Sequence, residues 1–153
     1  MSAASEVTAH VVRPIRPSDR EEWSPLWQGY LDFYREELPE EITEHTFERL
    51  CRGDDMFGFV AQRRGELVGL VHALLHPSTW TTTSYCYLED LYVARGARGT
   101  TIARDLIETV ASEATRRGAV KVYWHTQEFN GAARSLYEQV ARHVSFVVYE
   151  REL

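Results

Sequence analysis

The chain has 153 residues, 44% of them hydrophobic, with a formal net charge of −6 and a sequence pI of about 5.5. This length suits one globular domain with its own core. The negative charge argues against nucleic acid as a partner, and the absence of a long apolar run argues against a membrane partner. We therefore expect a cytoplasmic protein in which Cys51 and Cys86 are reduced thiols.

The amino-terminal third of the sequence predicts a strand and two helices. Residues 1–10 are small and polar, which predicts a flexible tail, and residues 11–153 are expected to form a single domain. The segment HVVRPI is typical of a first strand. In the helix that follows, Ser18 and Glu21 have the spacing of a capping box. A second helix is expected to begin near Thr43.

From Phe57 onward the hydrophobic pattern predicts mainly strands. FGFVAQRRGELVGLVHALLH predicts two strands joined by a turn at Gly65, and SYCYLEDLYV predicts a third. A helix follows, with Ile102 and Leu106 on one stripe and Gly118 at its end. VKVYWHT, NGAARSLYEQVA and SFVVYERE then predict a strand, a short helix and a closing strand.

This order of elements predicts an α/β protein of the α+β type. Successive strands indicate an antiparallel part, and strand–helix–strand units indicate a parallel part, so the sheet is mixed with helices on both faces. A ligand in such a fold is expected at the carboxyl ends of the strands. The loop ARGARGTT lies there and leads into a helix, whose free amides and positive dipole end suit a pyrophosphate.

Two segments in this region resemble a known family. YLEDLYVARGARGTTIARDLIETV, followed by NGAARSLYEQVA, resembles the GNAT superfamily of acyl-CoA-dependent N-acyltransferases. RGTTIA is similar to its acyl-CoA loop, R/Q-x-x-G-x-G/A, and Asn130 and Tyr137 match the asparagine and tyrosine that follow it. The resemblance extends from about His10 to the end of the chain and implies a centrally splayed sheet flanked by helices.

Within the superfamily, two branches are similar to different parts of the chain. YLEDLYV is similar to the polyamine N-acetyltransferases. TQEFNGAARSLYEQVA is similar to a branch that acetylates histones or free D-amino acids. The resemblance therefore implies a small-molecule amine or a basic peptide as the acceptor.

The resemblance also implies acetyl-CoA as the co-substrate, without a metal ion. The backbone of Leu91, Tyr92 and Val93 would pair with the pantetheine arm, and one of their N–H groups would polarise the thioester carbonyl. The other residues implied in cofactor binding are Arg98, Gly99, Thr100, Thr101, Ile102, Ala103, Arg104, Asn130 and Ala133.

Thr101 stands where the family has a small residue. A residue in the first turn of a helix does not need a positive φ, so threonine keeps its amide available to a phosphate. We expect a functional phosphate-binding loop of lower affinity, to which the threonine hydroxyl adds a further donor.

Glu89 is the candidate base for acetyl transfer to an amine. It is expected on a strand face with Tyr85, Tyr87, Leu91 and Val93, with Asp90 on the opposite face unless a bulge intervenes. A carboxyl pKa near 4.3 is low for a base acting on an ammonium group, so this role needs a raised pKa or a water relay. The alternatives are a substrate anchor or a structural carboxylate.

Tyr137 is the candidate to protonate the leaving thiolate or to donate a hydrogen bond to it. From spacing alone, the favoured interpretation of this tyrosine is an aromatic member of the apolar stripe formed by Ala133, Leu136 and Val140. The match to the family favours the catalytic role.

The sequence therefore predicts an acetyl-CoA-dependent N-acetyltransferase acting on a primary amine, which is a small-molecule amine, a polyamine or an amino acid. Direct transfer in a ternary complex is expected, because no cysteine or serine is placed as an activated nucleophile. Two alternatives are a protein lysine or N-terminal acetyltransferase and a non-catalytic acyl-CoA-binding module. A sheet edge left exposed near the carboxyl terminus favours a homodimer.

Overall fold

The computed structural model describes residues 9–153. Five strands are present: β1 (His10–Pro14), β2 (Met56–Arg63), β3 (Glu66–Pro77), β4 (Ser84–Val93) and β5 (Ala119–Tyr123). Four helices accompany them: α1 (Arg20–Phe33), α2 (Glu40–Arg52), α3 (Ile102–Arg116) and α4 (Gly131–Val140). Most of the predicted tail lies outside the described residues, and His10, its last residue, already belongs to β1.

The strands form one mixed sheet in the order β1-β2-β3-β4-β5. Neighbours are antiparallel from β1 to β4, whereas β4 and β5 are parallel. The turn between β2 and β3 uses Arg64 and Gly65, whose φ angles of 53° and 77° match the twist of a tight hairpin. The mixed sheet that the sequence predicts is therefore confirmed.

Helices cover both faces of the sheet, because successive apolar side chains along each strand point to opposite faces. Phe59, Val71 and Leu88 belong to a core cluster that includes the buried stripe of α3. Val60 and Leu70 point to the other face, where they join the buried residues of α1 and α2. Each face thus buries its own apolar layer, which is the main source of stability in such a fold.

The sheet opens between β4 and β5. The two strands pair at Ser84–Ala119, Cys86–Val122 and Tyr87–Tyr123 and make no further pairs beyond these. From Leu88 onward, β4 keeps a neighbouring strand only on its β3 side. The result is a wedge-shaped gap with unpaired backbone groups along one edge. This gap confirms the predicted splay at the centre of the sheet.

A bulge in β4 corrects the predicted arrangement around Glu89. The register places His72 opposite Asp90 but Ala73 opposite Leu88, so Glu89 is the extra residue. An extra residue inverts the alternation beyond it. Leu91 and Val93 consequently pack with the α3 core, and the prediction that they share a face with Glu89 is wrong.

The predicted helix starts also need correction. A 3-10 turn at Pro17–Asp19 precedes α1, and no Ser18 capping box forms. Instead the Asp19 carboxylate accepts from the Arg16 amide at 2.8 Å and from two nitrogens of Arg13, both at 2.8 Å. Helix α2 begins at Glu40, after the N-cap residue Pro39, and the Thr43 hydroxyl accepts a core hydrogen bond from the Trp27 indole at 3.2 Å instead of capping a helix.

The predicted closing strand does not form. Residues 141–153 contain no strand, and the side chains of Phe146 and Tyr149 are 82% and 90% exposed. A strand is held by hydrogen bonds to a neighbour, and within the described chain this segment meets none. Val120, Val122, Trp124 and Val140 line a neighbouring groove of about 260 Å³ between α3 and β5.

None of the helices in residues 9–153 is long and apolar enough to cross a membrane.

Candidate active site

The loop before α3 presents unpaired amides at a helix start. Gly99 has a φ of 78°, which turns the chain, and Thr101 has an ordinary φ of −85°. Within residues 9–153, the amides of Gly99, Thr100 and Thr101 donate to no backbone carbonyl. Together with the first-turn amides of Ala103 and Arg104, they form a set of donors at the positive end of α3.

The arginines of this region are held in place by the neighbouring elements. Arg98 donates from Nε to the carbonyl of Val93 at 3.0 Å, and its guanidinium carbon lies 5.6 Å from the centre of the Tyr92 ring. Arg104 donates to the side chain of Gln139 on α4. Arg98 therefore ties the loop to the end of β4, while Arg104 ties α3 to α4, and both leave positive charge close to the free amides.

The Thr101 hydroxyl is engaged within the protein. It donates to Asp105 Oδ2 at 3.1 Å, and the same carboxylate lies 2.6 Å from Nε2 of His10. The expected donation of this hydroxyl to a phosphate is thus replaced by a bond that steadies the first turn. Ile102 has a fully buried side chain, so only its backbone is available at the site.

The end of β4 is open along the gap. Leu91, Tyr92 and Val93 pair with Val71, Leu70 and Gly69 of β3. No strand within the described chain pairs with them on the other side. This free edge fits an extended, amide-containing chain such as pantetheine, and the donor loop stands at its carboxyl end, where a pyrophosphate would follow.

Asn130 and Tyr137 lie on α4, across the gap from β4. Asn130 is the N-cap of the helix, and its side-chain oxygen accepts from the amide of Ala133 at 3.4 Å. Tyr137 packs edge-on against Trp124, with ring centres 5.4 Å apart. Burial, with a smaller contribution from Tyr34, raises the pKa of Tyr137 to about 12, so its phenol is protonated at neutral pH.

Glu89 sits at the bulge beside Asp90. Burial is the main cause of a raised pKa at Glu89, and the negative charge of Asp90 raises it further. His72 and Arg49 act in the opposite direction. A carboxyl with a raised pKa is better suited to accepting a proton from an amine than an ordinary glutamate.

A buried chain of hydrogen bonds supports the bulge. The Trp23 indole donates to Nε2 of His72 at 3.1 Å, and Nδ1 of His72 lies 2.8 Å from Oδ2 of Asp90. Because an indole is only a donor, Nε2 must be the acceptor and Nδ1 must carry the proton given to Asp90. The bond to His72 holds Asp90 in place next to Glu89.

Tyrosines surround this pair of carboxylates. The Tyr30 hydroxyl donates to the Glu89 carbonyl at 3.4 Å, and Tyr87 stacks on Tyr123 with ring centres 5.0 Å apart. The charge of Asp90 raises the pKa of Tyr34, after the larger effect of burial. Tyr34 is also the smaller of the two causes that raise the pKa of Tyr137.

The sequence did not reveal these surroundings. Trp23, Tyr30 and Tyr34 recur at helical spacing, which by itself indicates only the apolar stripe of a helix. His72 lies in a run of strand residues whose neighbours are unremarkable. The one available signal was the adjacent pair Glu89–Asp90 inside an apolar strand, where two carboxylates require partners or a bulge.

Comparisons with known proteins agree with this geometry. The profile described as "Acetyltransferase (GNAT) family" matches residues 23–141. The chain is 36% identical over 144 residues to a D-amino-acid N-acetyltransferase of Saccharomyces cerevisiae, covering 92% of this chain and 89% of the relative. It is 27% identical to an uncharacterized N-acetyltransferase of Bacillus subtilis, covering 84% and 86%.

Solved structures have the same fold. A ribosomal-protein-alanine N-acetyltransferase from Brucella melitensis superposes with a TM-score of 0.79 and 25% identity, over 95% of this chain and 100% of the other. An aminoglycoside N-acetyltransferase in complex with CoA superposes with a TM-score of 0.82 and 18% identity, over 94% and 95%. The second similarity concerns the fold alone.

Proposed function

The chain belongs to the GNAT acetyltransferase family, and on this premise we propose that it moves the acetyl group of acetyl-CoA to the primary amine of a small acceptor. Among small amines we propose an amino acid, because the relative that is 36% identical is named a D-amino-acid N-acetyltransferase. The observation that carries the proposal is the gap between β4 and β5, which begins beside Glu89 and ends at the loop of free amides.

Acetyl-CoA supplies an activated acyl group whose sulfur is the leaving atom. We assign its pyrophosphate to the amides of Gly99, Thr100 and Thr101 and to the first turn of α3, with Arg98 and Arg104 nearby. We assign the pantetheine arm to the free edge at Leu91, Tyr92 and Val93, and to the side chain of Asn130. An amide of this edge is the donor to the thioester oxygen, where negative charge develops during transfer.

Glu89 is the proposed acceptor of the proton that the ammonium group must lose. The pKa of this carboxyl is raised above the ordinary value of about 4.3, and it is therefore closer to the pKa of an amine. The neutral amine then forms the new C–N bond while the C–S bond breaks, and the second proton that the nitrogen loses passes to solvent. Direct transfer in a ternary complex needs no covalent enzyme intermediate.

Tyr137 is the proposed partner of the departing thiolate. Full proton transfer from a phenol with a pKa of about 12 to a thiolate whose conjugate acid has a pKa of about 8.5 would cost about 5 kcal/mol. A hydrogen bond from the protonated phenol stabilises the thiolate without that cost. Tyr137 is therefore proposed as a hydrogen-bond donor, with solvent supplying the final proton.

We also propose that the protein acts in the cytoplasm, where the free thiols of Cys51 and Cys86 stay reduced, and that it functions as a homodimer. The support for a dimer is the combination of an unpaired β5 edge and the exposed apolar segment 144–148. In a dimer, the apolar segment of one copy can cover the β5 edge of the other.

Release of free thiol from acetyl-CoA tests the proposed function. The acceptors are phenylalanine of both hands, a polyamine, and a peptide with a lysine and a free amino terminus. We expect thiol release with an amino acid. Release only with the peptide would favour a protein acetyltransferase, and acetyl-CoA binding by calorimetry without any release would favour a binding module.

A further inference from the structure

Helix α2 ends over the same part of the sheet as the bulge. The side chain of Leu50 lies 3.5 Å from the position that a Cβ on Gly58 would take, and the His72 ring lies 3.3 Å from it. Gly58 pairs with His72, and His72 pairs with Asp90. The last turn of α2 therefore lies over β2 beside the His72 ring, and His72 is in turn bonded to Asp90, the neighbour of Glu89.

Arg49, the residue before Leu50, is half-buried in this turn. Among residues 9–153 its guanidinium has neither a hydrogen bond nor an ion pair. Arg20, the other arginine near α2, is committed to Glu40 and Glu44. A half-buried guanidinium that makes no such bond has donors available to an acceptor outside the protein.

Arg49 and Glu89 are close but not paired. The charge of Arg49 lowers the pKa of Glu89, whereas no nitrogen of Arg49 comes within 4.0 Å of a Glu89 oxygen. Two opposite charges that lie near each other without pairing suit a ligand that carries both charges. An α-amino acid is such a ligand, since its ammonium and carboxylate groups are separated by one carbon atom.

We propose that Arg49 binds the α-carboxylate of an amino-acid acceptor whose amino group lies at Glu89. A guanidinium can hold a carboxylate through two parallel hydrogen bonds, which fixes orientation as well as charge. The inference rests on the proposed function, because it concerns the acceptor of the same site. It makes Arg49 a specificity-determining residue that selects amino acids over amines without a carboxylate.

The test compares phenylalanine with 2-phenylethylamine, which differs by the carboxylate alone. An aromatic probe is suitable because the Tyr87–Tyr123 pair offers ring faces beside Glu89. In the wild type, kcat/KM for the better hand of phenylalanine is expected to exceed that for the amine. In Arg49→Gln this preference should fall about 10- to 100-fold, the usual effect of losing a charge-assisted hydrogen bond, mostly through KM.

Two further variants complete the experiment. Arg49→Lys keeps the charge but loses the bidentate geometry, so part of the preference should return. Arg52→Gln removes an exposed arginine of the same helix turn and should leave the preference unchanged. Thermal unfolding of all three checks that the fold is intact.

The inference is overturned if the wild type uses both acceptors equally well, or if Arg49→Gln lowers both by the same factor. These outcomes are distinct from failure of the proposed function, in which neither acceptor, nor the polyamine or the peptide, releases thiol.

Discussion

Burial raises the pKa of Tyr137 to about 12, and its proposed role as a hydrogen-bond donor is testable by removing one atom. In Tyr137→Phe we expect kcat to fall about 10- to 100-fold, because the thiolate loses a hydrogen bond that forms only as the C–S bond breaks. The Kd for acetyl-CoA should change by less than about threefold, since the ring still packs on Trp124. Steady-state kinetics and calorimetry measure the two effects.

Tyr149→Phe is the matched control, because Tyr149 is exposed and carries the same hydroxyl. It should leave kcat unchanged. An unaltered kcat in Tyr137→Phe would remove Tyr137 from the mechanism and return it to the apolar stripe of α4.

Asp19 stabilises the fold through a buried ion pair with Arg13. The Arg13 guanidinium holds the pKa of Asp19 below its usual range, opposing the effect of burial, with the Arg16 amide acting in the same direction. In Asp19→Asn we expect a loss of about 2–4 kcal/mol of unfolding free energy at pH 7, because Arg13 loses the carboxylate with which it is paired. Urea unfolding measures it.

The pH dependence of this loss follows from the lowered pKa. A carboxyl whose pKa is lower in the folded state stabilises that state fully above its unfolded pKa, about 3.9, and less as pH falls through the folded value. The difference between wild type and Asp19→Asn should therefore be constant above about pH 5 and shrink below 3.9. A difference that persists in strong acid would mean that packing, not charge, is lost.

Within the loop before α3, Gly99 and Thr101 have different backbone needs. The φ of 78° at Gly99 lies in the left-handed region, whereas the φ of Thr101 is −85°. Gly99→Ala should lower the unfolding free energy by about 1–2 kcal/mol, measured by chemical denaturation, because a Cβ disfavours this region. No neighbouring atom would touch that Cβ, so backbone strain is the only cause.

Gly96→Ala provides the comparison. Gly96 is in the same loop and has equal free space, but its φ is not in the left-handed region. Its substitution should be neutral or slightly stabilising. Equal destabilisation by both substitutions would contradict the role assigned to the Gly99 turn. The same reasoning explains why threonine is tolerated at position 101.

The strands of the sheet could be predicted from the pattern of residues, whereas the bulge in β4 could not. Strands β2, β3 and β4 were predictable because their apolar runs are bounded by turn residues. The bulge was not, because a β-strand with one extra residue has the same composition as a regular one. It accompanies the hydrogen bond of Asp90 to His72, a contact between residues on different strands.

For the whole molecule, the exposed apolar segment 144–148 predicts self-association. We expect a dimer at micromolar concentration by sedimentation equilibrium, in which this segment of one copy covers the β5 edge of the other. Phe146→Glu and Val148→Glu should each give a monomer, because a buried charge opposes strand addition. Leu153→Glu, the same change at an exposed residue outside the segment, should leave the dimer intact.

A wild-type protein that sediments as a monomer would contradict this prediction. So would a dimer that both glutamate variants leave unchanged, since the interface would then lie on another surface.

By itself, the sequence determined the order of most elements, the mixed sheet and the family. These depend on local periodicity, on turn residues such as Gly65, and on motifs such as RGTTIA that lie within one loop. It also identified Glu89 and Tyr137 as candidates, because both belong to contiguous motifs.

Only the tertiary structure decided what surrounds those candidates. The bulge at Glu89 and the hydrogen-bonded chain from Trp23 through His72 to Asp90 depend on contacts between residues that are far apart in the sequence. The position of Arg49, which makes no ion pair within residues 9–153, also follows from the folding of distant segments. Their charges, pKa shifts and unmet hydrogen bonds arise from burial and distance, which no local pattern encodes. The open β5 edge is of the same kind, because a strand forms only where a neighbour accepts its hydrogen bonds.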